Sequence, residues 1–192
     1  MPSFNKPTAP RTLGSESSTL MLKRTVIVAI FAAVAVVLSL IESMIPINMG
    51  VPGAKLGLAN IMVLTCLYFL RARDALTMVL LKTLLTAFIF GTFSSFLFSI
   101  MGALFSFAAM WFLLLVGRKR LSMIGISIVG GIAHNIGQLT AASLYFLTTK
   151  IFYYLPMLLI TGVLTGIAVG IAVRYLIPAL SRLSLFESFL TD

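Results

Sequence analysis

Acidic residues are scarce in this chain: Glu16, Glu42, Asp74, Glu187 and Asp192 are the only five in 192 positions, and they stand far apart. Enzymes that ionise allylic diphosphates hold magnesium against the diphosphate with several clustered carboxylates, because hard cations need oxygen ligands. Five scattered acids cannot build that site. One histidine, His134, cannot make a zinc centre. The lone Cys66 excludes a disulfide framework and a thiol-rich metal site. There is no glycine-rich phosphate loop ending in Gly-Lys-Ser or Gly-Lys-Thr, so the chain cannot power transport by its own nucleotide hydrolysis. No catalytic residue, metal or cofactor is expected.

Charge of either sign is also rare, at 10% of residues against 60% hydrophobic, with a mean hydropathy of +1.11. That much apolar surface cannot be hidden in the single core of a soluble domain of this length, so the solvent for most of the chain is lipid. The net charge of +9 would suggest nucleic acid in a soluble protein. Here the bases read as juxtamembrane anchors facing anionic headgroups, and no nucleic-acid partner is expected. Eleven of the fourteen bases fall in alternate gaps between apolar stretches: Lys6, Arg11, Lys23 and Arg24; Arg71 and Arg73; Arg118, Lys119 and Arg120; Arg174 and Arg182. By the positive-inside rule these gaps are cytoplasmic, and an even number of crossings separates each cluster from the next.

The spacing predicts an all-α integral membrane protein of six transmembrane helices with both termini cytoplasmic. Residues 1–22, with Pro2, Pro7 and Pro10 among small polar residues, are expected to form a disordered cytoplasmic tail. Residues 23–177 form the membrane domain. Its first helix, Thr25 to Ile45, is too long for a signal h-region and lacks a small-residue cleavage site after it. Pro46 to Lys55 is the first external loop, and Leu56 to Leu70 a short second crossing. The 42 residues from Ala75 to Val116 would span ~63 Å as one helix, about twice the hydrocarbon thickness, so they cross twice with a turn at Gly91 to Ser95. Ser122 to Thr149 is the fifth crossing and Phe152 to Ile177 the sixth. Pro178 closes the domain. Residues 178–192 carry Leu180, Leu183, Phe186 and Leu190 at helical spacing, which suits a short interfacial helix.

Polar groups inside a bilayer are costly and mark function by default. Candidates are Asn60 in helix 2, Lys82 in helix 3, and His134, Asn135 and Gln138 in helix 5, with Glu42 near the outer end of helix 1 and Lys55 at the mouth of helix 2. Gly130, His134 and Gln138 repeat every four residues and form one helix face; Ser127, Gly131 and Asn135 form the adjoining one. Such faces serve equally as polar glue between helices and as a ligand site. Lys82 could snorkel to the inner headgroups or face the interior as a counter-charge. Three bases against one intramembrane carboxylate would make a shared cavity favour an anion. Ala29 and Ala33 in helix 1, and Gly162, Gly166 and Gly170 in helix 6, permit close packing within the bundle or against a partner.

The stretches PGAKLGLAN at 52–60, the small residues Ser99, Gly102 and Ser106 followed by Met110, and GISIVGGIAHNIGQ at 125–138 resemble the Gx transporter family, historically labelled heptaprenyl diphosphate synthase component I. The resemblance runs from about Lys23 to Arg174. It implies a bacterial cytoplasmic-membrane protein similar in fold to the substrate-binding S components of energy-coupling-factor (ECF) importers. It also implies docking of a transmembrane coupling protein, with its ATPases, through Ala29 and Ala33, and a ligand cavity capped by the first external loop. An isoprenoid or quinone-related anion is suggested by the older label, which implies instead an accessory membrane subunit for a soluble prenyl synthase. A scaffold in a quinone-linked membrane complex is a third reading.

Overall fold

The computed structural model describes residues 13–44, 55–117, 121–187 and 189. Its elements are all helical: α1 (Leu13–Met44), α2 (Asn60–Phe69), α3 (Ala72–Phe90), α4 (Phe93–Gly117), α5 (Met123–Tyr145), a 3-10 segment (Thr149–Tyr154), α6 (Leu155–Ser181) and the single turn α7 (Ser184–Glu187). Among the described residues three segments are long and apolar enough to cross a membrane, Ser18–Met44, Phe93–Gly117 and Thr149–Ser181. Residues 46–54 of the first external loop, the base cluster at 118–120 and residues 1–12 lie outside the described residues.

The burial pattern departs from a soluble domain's on its outer surface. Val26, Ile30, Val34, Val37 and Ile41 are exposed along α1, as are Phe88 on α3 and Leu164 and Ile171 on α6. The interior is mainly apolar but also holds Glu42, Lys55, Asn60, Lys82, His134, Asn135 and Gln138. An apolar exterior around a core that contains polar groups suits an apolar solvent.

Short α2 is the hub, touching α1, α3, α4, α5 and α6. At ten residues it extends only ~15 Å, half a bilayer, so the expected second crossing is a half-helix whose preceding strand of backbone runs inside the bundle. Helix α5 lies between α4 and α6, and α1 packs on α3. The α5–α6 contact is close because it is made of glycine: a β-carbon at Gly131 would fall 2.5 Å from the Gly162 carbonyl oxygen, and one at Gly166 would fall 2.5 Å from the Ile128 Cα. The turn between α3 and α4 falls inside the expected Gly91 to Ser95, with Gly91 left-handed at φ 67° and its N–H bonded to the Ala87 carbonyl.

Three boundaries differ from the sequence reading. Helix α1 starts at Leu13, inside the tail expected to be disordered to residue 22; all three tail prolines precede this point, and a membrane helix already nucleated extends cheaply into such a flank. The fifth helix stops at Tyr145, short of Thr149, where Leu147 takes a left-handed φ of 52°. Helix α6 runs through Pro178 to Ser181, because a proline in the last turn forfeits one backbone bond and no more. The single turn α7 follows. Phe186 is buried against Phe31 of α1 and Phe69 of α2, with ring centroids 5.8 and 4.8 Å away.

Replacing Gly166 by Leu is expected to destabilise the protein by about 1–3 kcal/mol, since its side chain would meet backbone that cannot yield. Gly91→Ala should cost about 1 kcal/mol from the left-handed conformation alone, because nothing lies within 4 Å of its β-carbon position. Thermal unfolding in detergent checks the order of the two.

Candidate functional site

The site grows from a problem in backbone chemistry. Gly57, Leu58 and Ala59 form the turn into α2, their carbonyls accepting from the N–H groups of Asn60, Ile61 and Met62, but the Lys55, Gly57 and Leu58 N–H groups precede the helix and need acceptors from elsewhere; an unsatisfied peptide group in an apolar interior costs several kcal/mol. Two side chains solve it. Glu42, in the last turn of α1, accepts from the Gly57 N–H at 2.6 Å and the Leu58 N–H at 3.2 Å, placing a carboxylate at the amino end of α2. Gln138 of α5 pairs with Lys55 as one amide pairs with another: the Lys55 N–H donates to Oε1 at 2.9 Å, and Nε2 donates to the Lys55 carbonyl at 3.0 Å. The Gln138 amide also meets Nε2 of His134 at 2.5 Å, as residues four apart on one helix face should.

His134 is packed between glycines. Gly57 lies against one edge of the ring and Gly102 of α4 against the other, and a β-carbon at either would come within about 3.1 Å of it. Gly57 is left-handed at φ 90°, so its hydrogen serves both conformation and space. Gly102, Ser106 and Met110 face α5, with Gly102 on His134 and Gln138, and Ser106 and Met110 on Gly130; Ser99 is buried.

The expected site residues therefore divide. Lys55, Asn60, His134 and Gln138 come together around Gly57. Asn135 turns to the adjoining face, where its Nδ2 donates to the Leu158 carbonyl of α6 at 2.5 Å and its Oδ1 is buried without a partner. Lys82 is 4% exposed and does not snorkel; it lies within electrostatic range of Glu42, Lys55 and His134. The Lys55 ammonium has no hydrogen-bond acceptor among the described residues and rests over the Phe90 ring, 4.0 Å from the centroid. Ala29 and Ala33 both lie on the exposed side of α1, whereas Ala32 and Ala35 are buried.

Glu42 is the residue sequence reasoning undervalued, since its position near a helix end suggested solvation by the outer boundary. It is 5% exposed. The available signal was a lone acid one turn before a proline- and glycine-rich segment whose amides would need an acceptor. Beside this cluster lies a crevice of about 150 Å³ lined by Leu56, Gly57, Asn60, Ser127, Gly131, Thr165, Gly166 and Val169, closed too tightly to admit a water-sized sphere. No group of three or more metal-ligating side chains occurs among the described residues.

Fold and site together define an all-helical protein with an apolar exterior and a buried, base-rich polar centre. The chain belongs to the family described as heptaprenyl diphosphate synthase component I, which it matches over residues 31–176. No curated protein and no solved structure matches it.

Gln138→Leu should leave the Lys55 N–H and carbonyl without partners at about 1–3 kcal/mol each. Asn135→Ala should cost less, because the Leu158 carbonyl still accepts from Thr161 Oγ1 at 2.9 Å. Unfolding midpoints of the two variants in the same detergent give the comparison.

Proposed function

We propose that this chain is a non-catalytic, substrate-binding membrane subunit of a small-molecule transporter. Its six helices cross the bilayer with both termini cytoplasmic, and an anionic or amphiphilic ligand enters the polar centre from outside. One observation carries the reading. Lys55 and Lys82 are both buried, and the single carboxylate near them, Glu42, is already engaged by two backbone amides. A buried excess of positive charge is costly unless compensated, and a bound anion compensates it. The unpartnered Asn135 Oδ1 and Ser127 Oγ add polar groups that a ligand could use.

The transport reading takes an ECF-type coupling protein and its ATPases as partners, meeting the exposed Ala29 and Ala33 of α1. The second reading, favoured by the family description, is a membrane subunit that serves a soluble prenyl synthase. The scarcity of carboxylates confines it to an accessory role. Copurification separates the two, since an ATPase with a coupling protein supports transport and a carboxylate-rich prenyl synthase supports the alternative. Replacing Ala29 and Ala33 by Leu is expected to weaken the complex while the subunit stays folded, because bulk prevents close helix approach. Unchanged copurification rejects this interface.

Topology is tested with impermeant thiol reagents after Cys66 is replaced. A cysteine at Ser94 is expected to react from outside and one at Ser122 is not; labelling of Ser122 from outside overturns six crossings.

Native mass spectrometry of the purified protein should reveal a retained anion. Adding that compound at a hundred times its Kd should stabilise the parent by about 2.7 kcal/mol. Lys55→Met and Lys82→Met should each remove most of this gain while leaving the unliganded protein at least as stable. Full ligand-induced stabilisation in both variants refutes the charge argument.

A further inference from the structure

The interior holds few enough charges to count. Among the described residues the buried charged side chains are Glu42, Lys55 and Lys82, and Lys82 lies within electrostatic range of the other two. Residues 46–54, which join Glu42 to Lys55 along the chain, contain no ionisable group. Arg24 and Asp74 are part-exposed and face each other at 3.5 Å, so they add no net charge to the centre.

His134 adds none either. Two bonds to Lys55 hold the Gln138 amide in one orientation, with Oε1 on the N–H and Nε2 on the carbonyl, so the atom it turns to His134 is its nitrogen. That nitrogen only donates. Nε2 of His134 must accept, which an imidazolium cannot do, so the ring is neutral with its proton on Nδ1. The carboxyl end of α1 and the amino end of α2 carry opposite partial charges and meet at Glu42, where they offset one another.

Two ammonium groups against one carboxylate leave a single positive charge. In an apolar surround an excess charge of either sign is costly. An anion with one negative charge brings the centre to neutrality, whereas one with two replaces an excess cation by an excess anion. Phosphate monoesters carry roughly two near neutral pH and fall in the second group.

We infer that the ligand of the polar centre is a small organic monoanion, a monocarboxylate with an apolar body, and that multiply charged anions are rejected. The inference rests on the anion-binding reading above and narrows it. The charged group has to be compact, because the crevice beside the cluster is closed to a water-sized sphere. The body is apolar because Lys55 lies over Phe90, and its neighbour Leu56 packs into the cluster of Phe98, Leu139 and Leu158.

The probes are benzoate, benzamide, phthalate and phenyl phosphate, alike in ring and different in charge, with sodium chloride as the inorganic control. They are added to the full-length protein in nanodiscs of zwitterionic lipid, at a pH well above the second phosphate pKa of ~6. Benzoate is expected to raise the unfolding midpoint, with each of the other compounds acting at least ~10-fold more weakly. Glu42→Gln leaves two positive charges, so the order should invert in favour of phthalate and phenyl phosphate. Lys82→Met leaves none, so benzoate should lose its advantage over benzamide; this variant serves if Glu42→Gln fails to fold. A compound retained through purification reads the same property directly, and one with two or more negative charges overturns the inference. So does stronger stabilisation of the parent by the dianions, an equal effect of chloride, or an order unchanged in both variants, and each of these leaves anion binding itself standing. Benzamide equal to benzoate, or no retained anion together with no stabilising probe, removes the anion reading and this inference with it.

Discussion

The structure turns on the short run of backbone that leads into α2, whose N–H groups point into the bundle ahead of the helix. Lys55 to Ala59 thread into the bundle to reach the start of α2, and in an apolar surround their amides must find protein partners. Glu42 and Gln138 supply them from opposite sides, one as a charged acceptor for two N–H groups and the other as a mimic of a neighbouring strand. Much else follows from that requirement. Helix α1 must present a carboxylate in its last turn, α5 must present a primary amide at a fixed depth, and α2 starts only at Asn60, after the left-handed Gly57 and the turn at Leu58 and Ala59. The glycines around His134 let α4 and the segment approach α5 closely enough for these bonds to form.

The same arrangement sets the electrical character of the interior. By committing its carboxylate to backbone amides, Glu42 is only a partial counter-charge to Lys55 and Lys82. The Lys55 ammonium turns to the face of Phe90, which supplies attraction without a formal charge. A polar centre built purely to join helices would pair its members completely, as the Gln138–Lys55 amides are paired. Here the amides of Gln138 are paired with Lys55, the Asn135 amide is engaged through its Nδ2 alone, and neither Lys55 nor Lys82 forms an ion pair among the described residues.

Local chemistry made several features legible in the order of residues alone. The alternation of basic clusters with apolar runs marked the helical segments, and the only turn formers in a 42-residue run marked the α3–α4 turn that Gly91 makes. Four-residue spacing placed His134 and Gln138 on one face and Asn135 on the next, and the contacts agree. Tertiary demands were less visible. Nothing within Leu56 to Leu70 says that helix starts only at Asn60, because the backbone ahead of it depends on acceptors contributed by α1 and α5. The inward fold of Phe186 depends on the aromatic pocket of Phe31 and Phe69, which periodicity in the tail cannot reveal. Tail composition also misled, since three prolines confined to the first ten residues coloured the reading of the next ten.

The tightness of the crevice beside the cluster bears on time as well as on affinity. A space that excludes water must open before anything enters, and its walls include Gly57, Gly131 and Gly166, none of which has a side chain to swing aside. Opening therefore has to displace the side chains of Leu56, Asn60, Ser127, Thr165 or Val169, or the glycine backbone between them. Association would saturate at the rate of that opening instead of climbing with concentration, and escape would wait on the same event. An occupant caught in the centre would leave slowly enough to travel with the protein through extraction and chromatography.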